Sequence, residues 1–107
     1  MARRHAFVIV YDPEVKGHLA AIDRKHHSFI REAIEQQLMY QADVETRNRK
    51  PLARPMPLDA DWELRFGPKN RFRVFYAVAP SAREVQVLAI GVKEGNRLFI
   101  AGNEVKL

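Results

Sequence analysis

The sequence predicts an α+β fold in which an N-terminal strand and a helical hairpin precede an antiparallel β-meander, in the order β-α-α-β-β-β. Two stripes of apolar residues at helical spacing lie before residue 44, and three segments of alternating apolar residues lie after residue 61. A segment with three prolines separates the two halves. The length of 107 residues and the hydrophobic content of 47% suit one compact domain, so we expect residues 1–107 to form a single domain.

The N-terminal half contains the first strand and both helices. Residues 5–11 are almost continuously apolar, which is typical of a strand that is covered on both faces. Asp12 and Pro13 favour a helix start, because Asp can cap a helix and Pro fits its first turn. The apolar face of this helix carries Val15, Leu19 and Ile22. A second helix is predicted over residues 26–43, and the short connection between the two predicts an antiparallel hairpin. Its apolar stripe consists of Ile30, Ile34 and Leu38.

The C-terminal half begins with the proline-containing segment 47–61, which we expect to be a basic loop because proline disfavours regular structure. The segments predicted as strands of the meander are 62–66, 71–79 and 84–91. Turns are predicted at 67–70, 80–81 and 94–96. A last partial element is expected to contain Leu98, Phe99 and Ile100.

Alternation along the first two strands of the meander assigns their side chains to two faces of the sheet. The face expected to pack on the helices carries Trp62, Leu64, Phe66, Phe72, Val74, Tyr76 and Val78. The opposite face carries Glu63, Arg65, Arg71, Arg73 and Phe75. We expect this second face to be an open, basic and partly aromatic surface, on which guanidinium groups could hold phosphates. An ordinary wet sheet face, with arginines paired to Glu63 or Glu84, is the alternative that the pattern leaves open.

The composition favours a polyanionic partner. The net charge is +5 and the pI is near 9.9, which suits nucleic acid, a ribosome, an acidic protein or a membrane surface. The absence of cysteine excludes disulfides, thiolate metal sites and cysteine nucleophiles. No apolar run is long enough to cross a bilayer, and the apolar run at 6–11 is too short for the core of a signal peptide, so we expect a cytoplasmic location and no membrane partner.

The remaining chemistry-bearing residues give no sign of a metal or cofactor site. The four histidines are His5, His18, His26 and His27. Neighbouring residues of a helix face different directions, so His26 and His27 make a poor metal pair, and we expect capping or exposed positions for the histidines. The three glycines at 91, 95 and 102 lack the spacing of a phosphate-binding loop. We therefore expect no metal and no cofactor.

The ordered segments of this chain resemble the RelE/ParE superfamily of bacterial toxins. The resemblance is carried by W-E-L-R-F-G, N-R-F-R-V-F-Y and V-Q-V-L-A-I-G-V-K-E-G-N-R-L-F, and it extends from Phe7 to about Phe99. The loop R-K-P-L at 49–52 also resembles the loop before the sheet in this family. The resemblance implies a RelE-like fold and the toxin role in a type II toxin–antitoxin module, with a cognate antitoxin as partner.

Superfamily members of the RelE type are ribosome-dependent endoribonucleases, so the resemblance implies attack of a ribose 2′-hydroxyl on the adjacent phosphate of messenger RNA, without a metal. The catalytic positions that it implies are Arg73, Arg65, Lys93 and Glu63. Arg73 matches an arginine that contacts the scissile phosphate, and Glu63 is either a general base or an ion-pair partner of Arg65. The RNA-binding positions that we expect are Arg71, Lys69, Arg97, Phe99, Arg49 and Lys50.

Phe99 stands where active members of the superfamily often have a tyrosine. Phenylalanine can stack on a base but cannot transfer a proton. Two alternatives therefore remain open: a ParE-like inhibitor of DNA gyrase, and a catalytically degenerate basic module that binds RNA or a protein. The sequence leaves the oligomeric state open.

Overall fold

The computed structural model describes residues 6–53 and 59–106, and within these ranges it confirms the α+β class. The helices are α1 (Val15–Ala20) and α2 (His27–Leu38), with a 3-10 turn at Arg24–His26 directly before α2. The strands are β1 (Val8–Tyr11), β2 (Arg49–Pro51), β3 (Trp62–Phe66), β4 (Phe72–Ala79), β5 (Glu84–Glu94), β6 (Arg97–Ile100) and β7 (Asn103–Val105). His5, which the sequence placed in the first strand, lies outside the described residues.

The described strands form a seven-stranded sheet in the order β2-β3-β4-β5-β6-β7, with β1 paired parallel to β5. The predicted meander of β3, β4 and β5 is confirmed, and each of these pairs is antiparallel. Because β4 occupies one edge of β5, both β1 and β6 must share the other edge, where they pair with residues 84–87 and 91–94. The His18 side chain of α1 fills the gap between them, since the Ile90 N–H donates to His18 Nδ1 at 3.2 Å.

The main core lies between the helices and one face of the sheet, as the apolar patterns predicted. Ile30, Ile34 and Leu38 of α2 are each at most 1% exposed. Their partners on the sheet include Leu64, Phe66, Phe72, Val74 and Tyr76, with Trp62 and Val78 packed at the margin. The full burial of such side chains contributes about 1.5–3 kcal/mol each, so this face contributes most to holding the helices on the sheet.

The opposite face of the sheet is not open, and the sequence prediction of an open basic surface is wrong. A second, smaller core covers much of it. Its members are Ala60, Phe75, Ala89, Leu98 and Ile100, with Leu52, Leu88 and Val105 packed against them. The segment before β3 and the β6–β7 hairpin supply most of the side chains that cover Phe75. Apolar residues outside the meander therefore convert the predicted solvent face into an interior.

Several element boundaries differ from the sequence prediction: β1 begins at Val8 rather than at residue 5, and β5 continues to Glu94 rather than ending at residue 91. Helix α2 ends at Leu38 rather than at residue 43, and the following turn places Ala42 in the core, where its carbonyl accepts a 2.6 Å hydrogen bond from the Tyr76 hydroxyl. The predicted loop contains a short edge strand, β2, which pairs with β3. Pro51 is tolerated there because an edge strand has one side without ladder hydrogen bonds. Residues 54–58 of that loop lie outside the described residues.

Candidate functional site

The centre of the candidate site is an ion-pair cluster formed by Glu63, Arg65 and Arg73, referred to below as the Glu63 cluster. Arg65 of β3 and Arg73 of β4 lie directly opposite each other across the antiparallel pair, an arrangement that would repel. Glu63 relieves the repulsion, because its Oε1 accepts from Arg65 Nε at 2.8 Å and its Oε2 accepts from Arg73 Nη1 at 3.0 Å. The structure therefore contains the pairing that the sequence left open as an alternative, in which arginines of this face pair with Glu63.

The two arginines of the Glu63 cluster differ in accessibility. The Arg73 side chain is 8% exposed, and its Nε also donates to the Asn70 carbonyl at 2.8 Å. The Arg65 side chain is 40% exposed, and its two Nη groups make no hydrogen bond or ion pair with the described residues. Among the described residues the two Nη groups of Arg65 are thus unengaged, whereas Arg73 is a buried partner of the carboxylate.

Glu63 is held as an ion-pair partner in this arrangement. Its side chain is 5% exposed, and each carboxylate oxygen accepts from a guanidinium. Because both carboxylate oxygens already accept from guanidiniums, neither is available to a substrate hydroxyl, and Glu63 is a poor candidate for a general base. The cluster carries a net charge of +1 and can attract an anion to the exposed Arg65.

Two lysines lie on the same face as the Glu63 cluster. Lys50 of β2 is directly opposite Glu63, and its Nζ lies 3.5 Å from a carboxylate oxygen of Glu45. Lys93 is two residues beyond Gly91, the β5 partner of Arg73, so it lies diagonally across from Arg73. Both lysines are partly exposed. The structure thus places Lys93 and Lys50 on the flanks of the cluster.

Other predicted RNA-binding residues lie elsewhere. Arg49 is 4% exposed, and its guanidinium donates to the carbonyls of Val44 and Gln37 and to the side chains of Gln37 and Gln41. It therefore joins β2 to the end of α2, and the geometry gives it a structural role. Lys69 is exposed in the turn before β4, and Arg97 is exposed on the C-terminal hairpin, 4.0 Å from Glu104.

Phe99 and Arg71 are directed away from the Glu63 cluster. Phe99 pairs with Val92, which pairs with Phe72, so all three belong to the helix-facing side of the sheet. The Arg71 guanidinium lies over the Phe72 ring, 5.5 Å from its centroid. Both residues line a separate cavity beside α1, together with His18 and His26. The two-residue turn Gly95-Asn96 sets the pairing of β5 with β6 and thereby the face of the sheet on which Phe99 lies. This turn is the feature of the sequence from which the face of Phe99 could have been predicted.

The histidines divide into distinct roles. His27 Nε2 lies 2.8 Å from each of the carbonyls of Leu19 and Ile22, a capping contact of the kind that the sequence predicted. His18 is only 8% exposed, so the expectation of a capping or exposed position is wrong there. Burial lowers the pKa of His18, and nearby Glu14 and Asp12 only partly offset that effect. No sequence pattern marked His18, because its partner Ile90 is distant in the chain.

The structure bears on three other kinds of site within residues 6–53 and 59–106. In these ranges no three His, Asp or Glu side chains form a group that could hold a metal ion. Tyr76 is fully buried in the main core, as predicted, rather than available as an acid or base. None of the helices in this part of the chain is long and apolar enough to span a membrane.

Comparison with known proteins gives a likeness of fold to a solved structure. No protein-family model matches the chain, and no curated protein sequence matches it. The fold is similar to a chain in the crystal structure of the toxin–antitoxin complex RelBE2 from Mycobacterium tuberculosis, with a TM-score of 0.63 and 16% sequence identity. The similarity covers 87% of this chain and 98% of that chain. The RelE-like fold that the sequence resemblance implied is thereby confirmed.

Proposed function

We propose that this chain is the toxin of a type II toxin–antitoxin module and that it inhibits translation in the cytoplasm by cleaving messenger RNA on the ribosome. The fold likeness to a chain of a toxin–antitoxin complex and the net charge of +5 support this proposal. The observation that carries it is the half-exposed Arg65, whose Nη groups have no partner within residues 6–53 and 59–106 and whose Nε is held by the buried Glu63. Such a supported, solvent-facing guanidinium is suited to bidentate binding of a phosphate.

The proposed reaction is attack of a ribose 2′-oxygen on the adjacent phosphorus, with release of the 5′-oxygen of the next nucleotide. Arg65 binds the phosphate and stabilises the negative charge that develops on it. Lys93 is the candidate donor of a proton to the leaving 5′-oxygen. Because both oxygens of Glu63 are engaged by guanidiniums, the 2′-hydroxyl proton passes to solvent in this scheme. The rate then comes mainly from positioning and charge stabilisation.

The proposed partner outside the ribosome is a cognate antitoxin. A basic chain of this kind suits an acidic or amphipathic segment. Val8 and Val10 of the edge strand β1 are 62% and 40% exposed, and they provide an apolar surface for the apolar side of an amphipathic segment. Co-expression with the product of the neighbouring gene, followed by affinity purification of the tagged chain, tests this part of the proposal. Failure to recover a stoichiometric complex contradicts it.

The nuclease proposal is tested in a cell-free bacterial translation reaction, with cleavage of the message mapped by primer extension. Arg65→Gln removes the exposed guanidinium, and Arg31→Gln is the matched control, because Arg31 is also exposed but lies on α2. We expect codon-phased cuts that need ribosomes, a loss of about a hundredfold in rate for Arg65→Gln, and no change for Arg31→Gln. Intact message, or equal loss in both variants, contradicts the proposed site.

Inhibition of DNA gyrase is the second candidate function. The observation that favours it is the shortage of proton-transfer groups around Arg65, since Glu63 is engaged and Phe99 lies on the other face of the sheet. A supercoiling assay with purified gyrase separates the two candidates. Inhibition of supercoiling combined with intact message would select this one.

A further inference from the structure

A cavity lies on the helix-facing side of the sheet, lined in part by His18, His26, Arg71 and Phe99, and is referred to below as the His18 cavity. Its volume is about 240 Å³. Val92 and Phe99, which are neighbours across β5 and β6, form a partly exposed apolar part of its lining. The turn between β6 and β7 closes one side against the end of α1: a Cβ on Gly102 would lie 4.0 Å from the Ala21 Cβ.

His18 supplies this cavity with an oriented hydrogen-bond donor. Its Nδ1 accepts the Ile90 N–H, so in the neutral form that burial favours, the proton resides on Nε2. Nε2 has no hydrogen-bond partner among residues 6–53 and 59–106. Every fully buried side-chain nitrogen and oxygen in these ranges has a hydrogen-bond partner. Since Nε2 has none, it is not fully buried, and the solvent-accessible space that His18 lines is the cavity. A residue that is 92% buried therefore directs an unused N–H donor to a ligand-sized space.

The remaining polar lining combines a cation with carboxylates. The Arg71 guanidinium and the His26 ring both contact Phe72, at 5.5 Å and 5.3 Å from its ring centre. Asp23 and Glu94 add two exposed carboxylates to the lining. One oxygen of Asp23 accepts from the Lys25 N–H at 3.0 Å, which leaves its other oxygen as an acceptor. An aromatic surface, a fixed donor, carboxylate acceptors and a cation are thus present in one cavity.

We infer that the His18 cavity binds a single unstacked base of an RNA strand, with a preference for bases that carry an exocyclic amine. Phe99 offers a stacking surface to such a base. His18 Nε2–H donates to a ring nitrogen or carbonyl of the base, and a carboxylate accepts from the amine. Arg71 binds the phosphate of the same nucleotide. Adenine, guanine and cytosine meet these requirements, whereas uracil lacks the amine.

The position of the cavity connects it to the Glu63 cluster. The Lys93 N–H donates to the Arg71 carbonyl at 2.8 Å, so these two cationic residues are backbone neighbours at the end of the sheet. Lys93 belongs to the face of the cluster, and the Arg71 guanidinium is directed toward the cavity. One strand of RNA can therefore place a phosphate on one face and a neighbouring base on the other. The identity of the ligand as RNA rests on the proposed function, whereas the recognition of a nucleotide does not.

The inference is tested by titrating the ¹⁵N-labelled protein with AMP, GMP, CMP and UMP and following the amide resonances. We expect shifts at Val92, Phe99 and Gly102, and affinity for UMP at least fivefold weaker than for the best amine-bearing nucleotide. Arg71→Gln should weaken binding about tenfold, as expected for loss of a charge-assisted phosphate contact. The control Arg31→Gln should bind like the wild type. Phe99→Ala should remove the shifts, with folding checked by circular dichroism.

Several results would overturn the inference. They are shifts confined to the neighbourhood of Arg65, equal affinity for all four nucleotides, and equal weakening in Arg71→Gln and Arg31→Gln. A lack of any shift with nucleotides, together with cavity shifts on adding the antitoxin, would assign the cavity to a protein partner instead. Glu94→Ala removes an exposed acceptor and provides a second variant, for which we expect a reduced preference against UMP. Nucleotide binding without message cleavage would refute the proposed function alone, and cleavage without nucleotide binding would refute this inference alone.

Discussion

Replacement of Arg73 by methionine tests whether Arg73 is the internal support of the buried Glu63 carboxylate. Methionine keeps an unbranched apolar stem as far as the position of the arginine Nε, but it removes the ion pair with Glu63 and the hydrogen bond to the Asn70 carbonyl. Glu63, which is 5% exposed in the wild type, then has the half-exposed Arg65 as its remaining partner within the described residues. A buried carboxylate that loses its buried partner is costly, because it has left water without full compensation.

The magnitude follows from the burial of each partner. Loss of one member of a buried pair costs about 3–5 kcal/mol, and the surviving Arg65 contact places the expected loss near the lower end, at about 3 kcal/mol. For a domain of this size, that loss lowers the Tm by about 12–20 °C. Arg65→Met breaks a contact to the same carboxylate from the exposed side, so we expect a loss below about 1 kcal/mol. The double variant Glu63→Leu/Arg73→Met removes both buried charges and is expected to lie within about 1 kcal/mol of the wild type.

Urea unfolding followed by tryptophan fluorescence measures these differences. Trp62 is the single tryptophan, and it stacks on the buried Tyr76 with an interplanar angle of 13°, so its emission reports the main core. The experiment is repeated at high salt, which screens the exposed contact of Arg65 more than the buried contact of Arg73. Equal losses in Arg73→Met and Arg65→Met, or a double variant that is less stable than Arg73→Met, would refute the assignment of Arg73 as internal support.

Three further predictions concern the scaffold around the two sites. Burial lowers the pKa of His18 below 6.5, the ordinary pKa of a histidine. The neutral His18 ring therefore contributes fully to stability above pH 6.5, and this contribution is lost as the pH falls below 6.5. His18→Asn, whose side-chain oxygen can replace the ring acceptor, should flatten the dependence of Tm on pH between 5 and 7 (roughly the range where histidine titrates). Tyr76→Phe leaves the buried Ala42 carbonyl without its donor and should cost about 1–3 kcal/mol in urea unfolding. Gly91→Ala should lower the Tm, because its Cβ would lie 2.8 Å from a backbone oxygen of β6.

The alternation of side chains assigned the helix-facing apolar residues of β3 and β4 correctly, although not Arg71, because the period of two is a property of the strand alone. The pairs Arg65–Arg73 and Leu64–Val74 follow from two alternating segments joined by a short turn. The helical stripe of α2 was equally informative, and all three of its members are buried. These are local patterns, in which the residues that carry the signal are close together in the chain.

The second core could not be predicted from local patterns of this kind. Alternation shows that Phe75 and Arg73 share a face, but it does not show what covers that face. The covering residues, such as Leu52, Ala60 and Leu98, come from segments without regular periodicity on either side of the meander. Arg49 was misplaced for a related reason: two of its acceptors are the backbone carbonyls of Gln37, at the end of α2, and of Val44, in the segment that follows, and no side-chain pattern records them.

The burial of that face changes which arginine can act on a ligand. The sequence resemblance gave the leading role to Arg73, and an open face would have made it available to a phosphate. In the structure Arg73 and Glu63 are interior groups, and each is held by more than one hydrogen bond. Arg65 is then the member of the cluster whose donors are directed to solvent. Because its Nε is fixed by Glu63, its Nη groups lose less freedom on binding an anion than those of an unsupported surface arginine. A buried ion pair contributes little net stability, so its most useful effect in this fold is to orient Arg65.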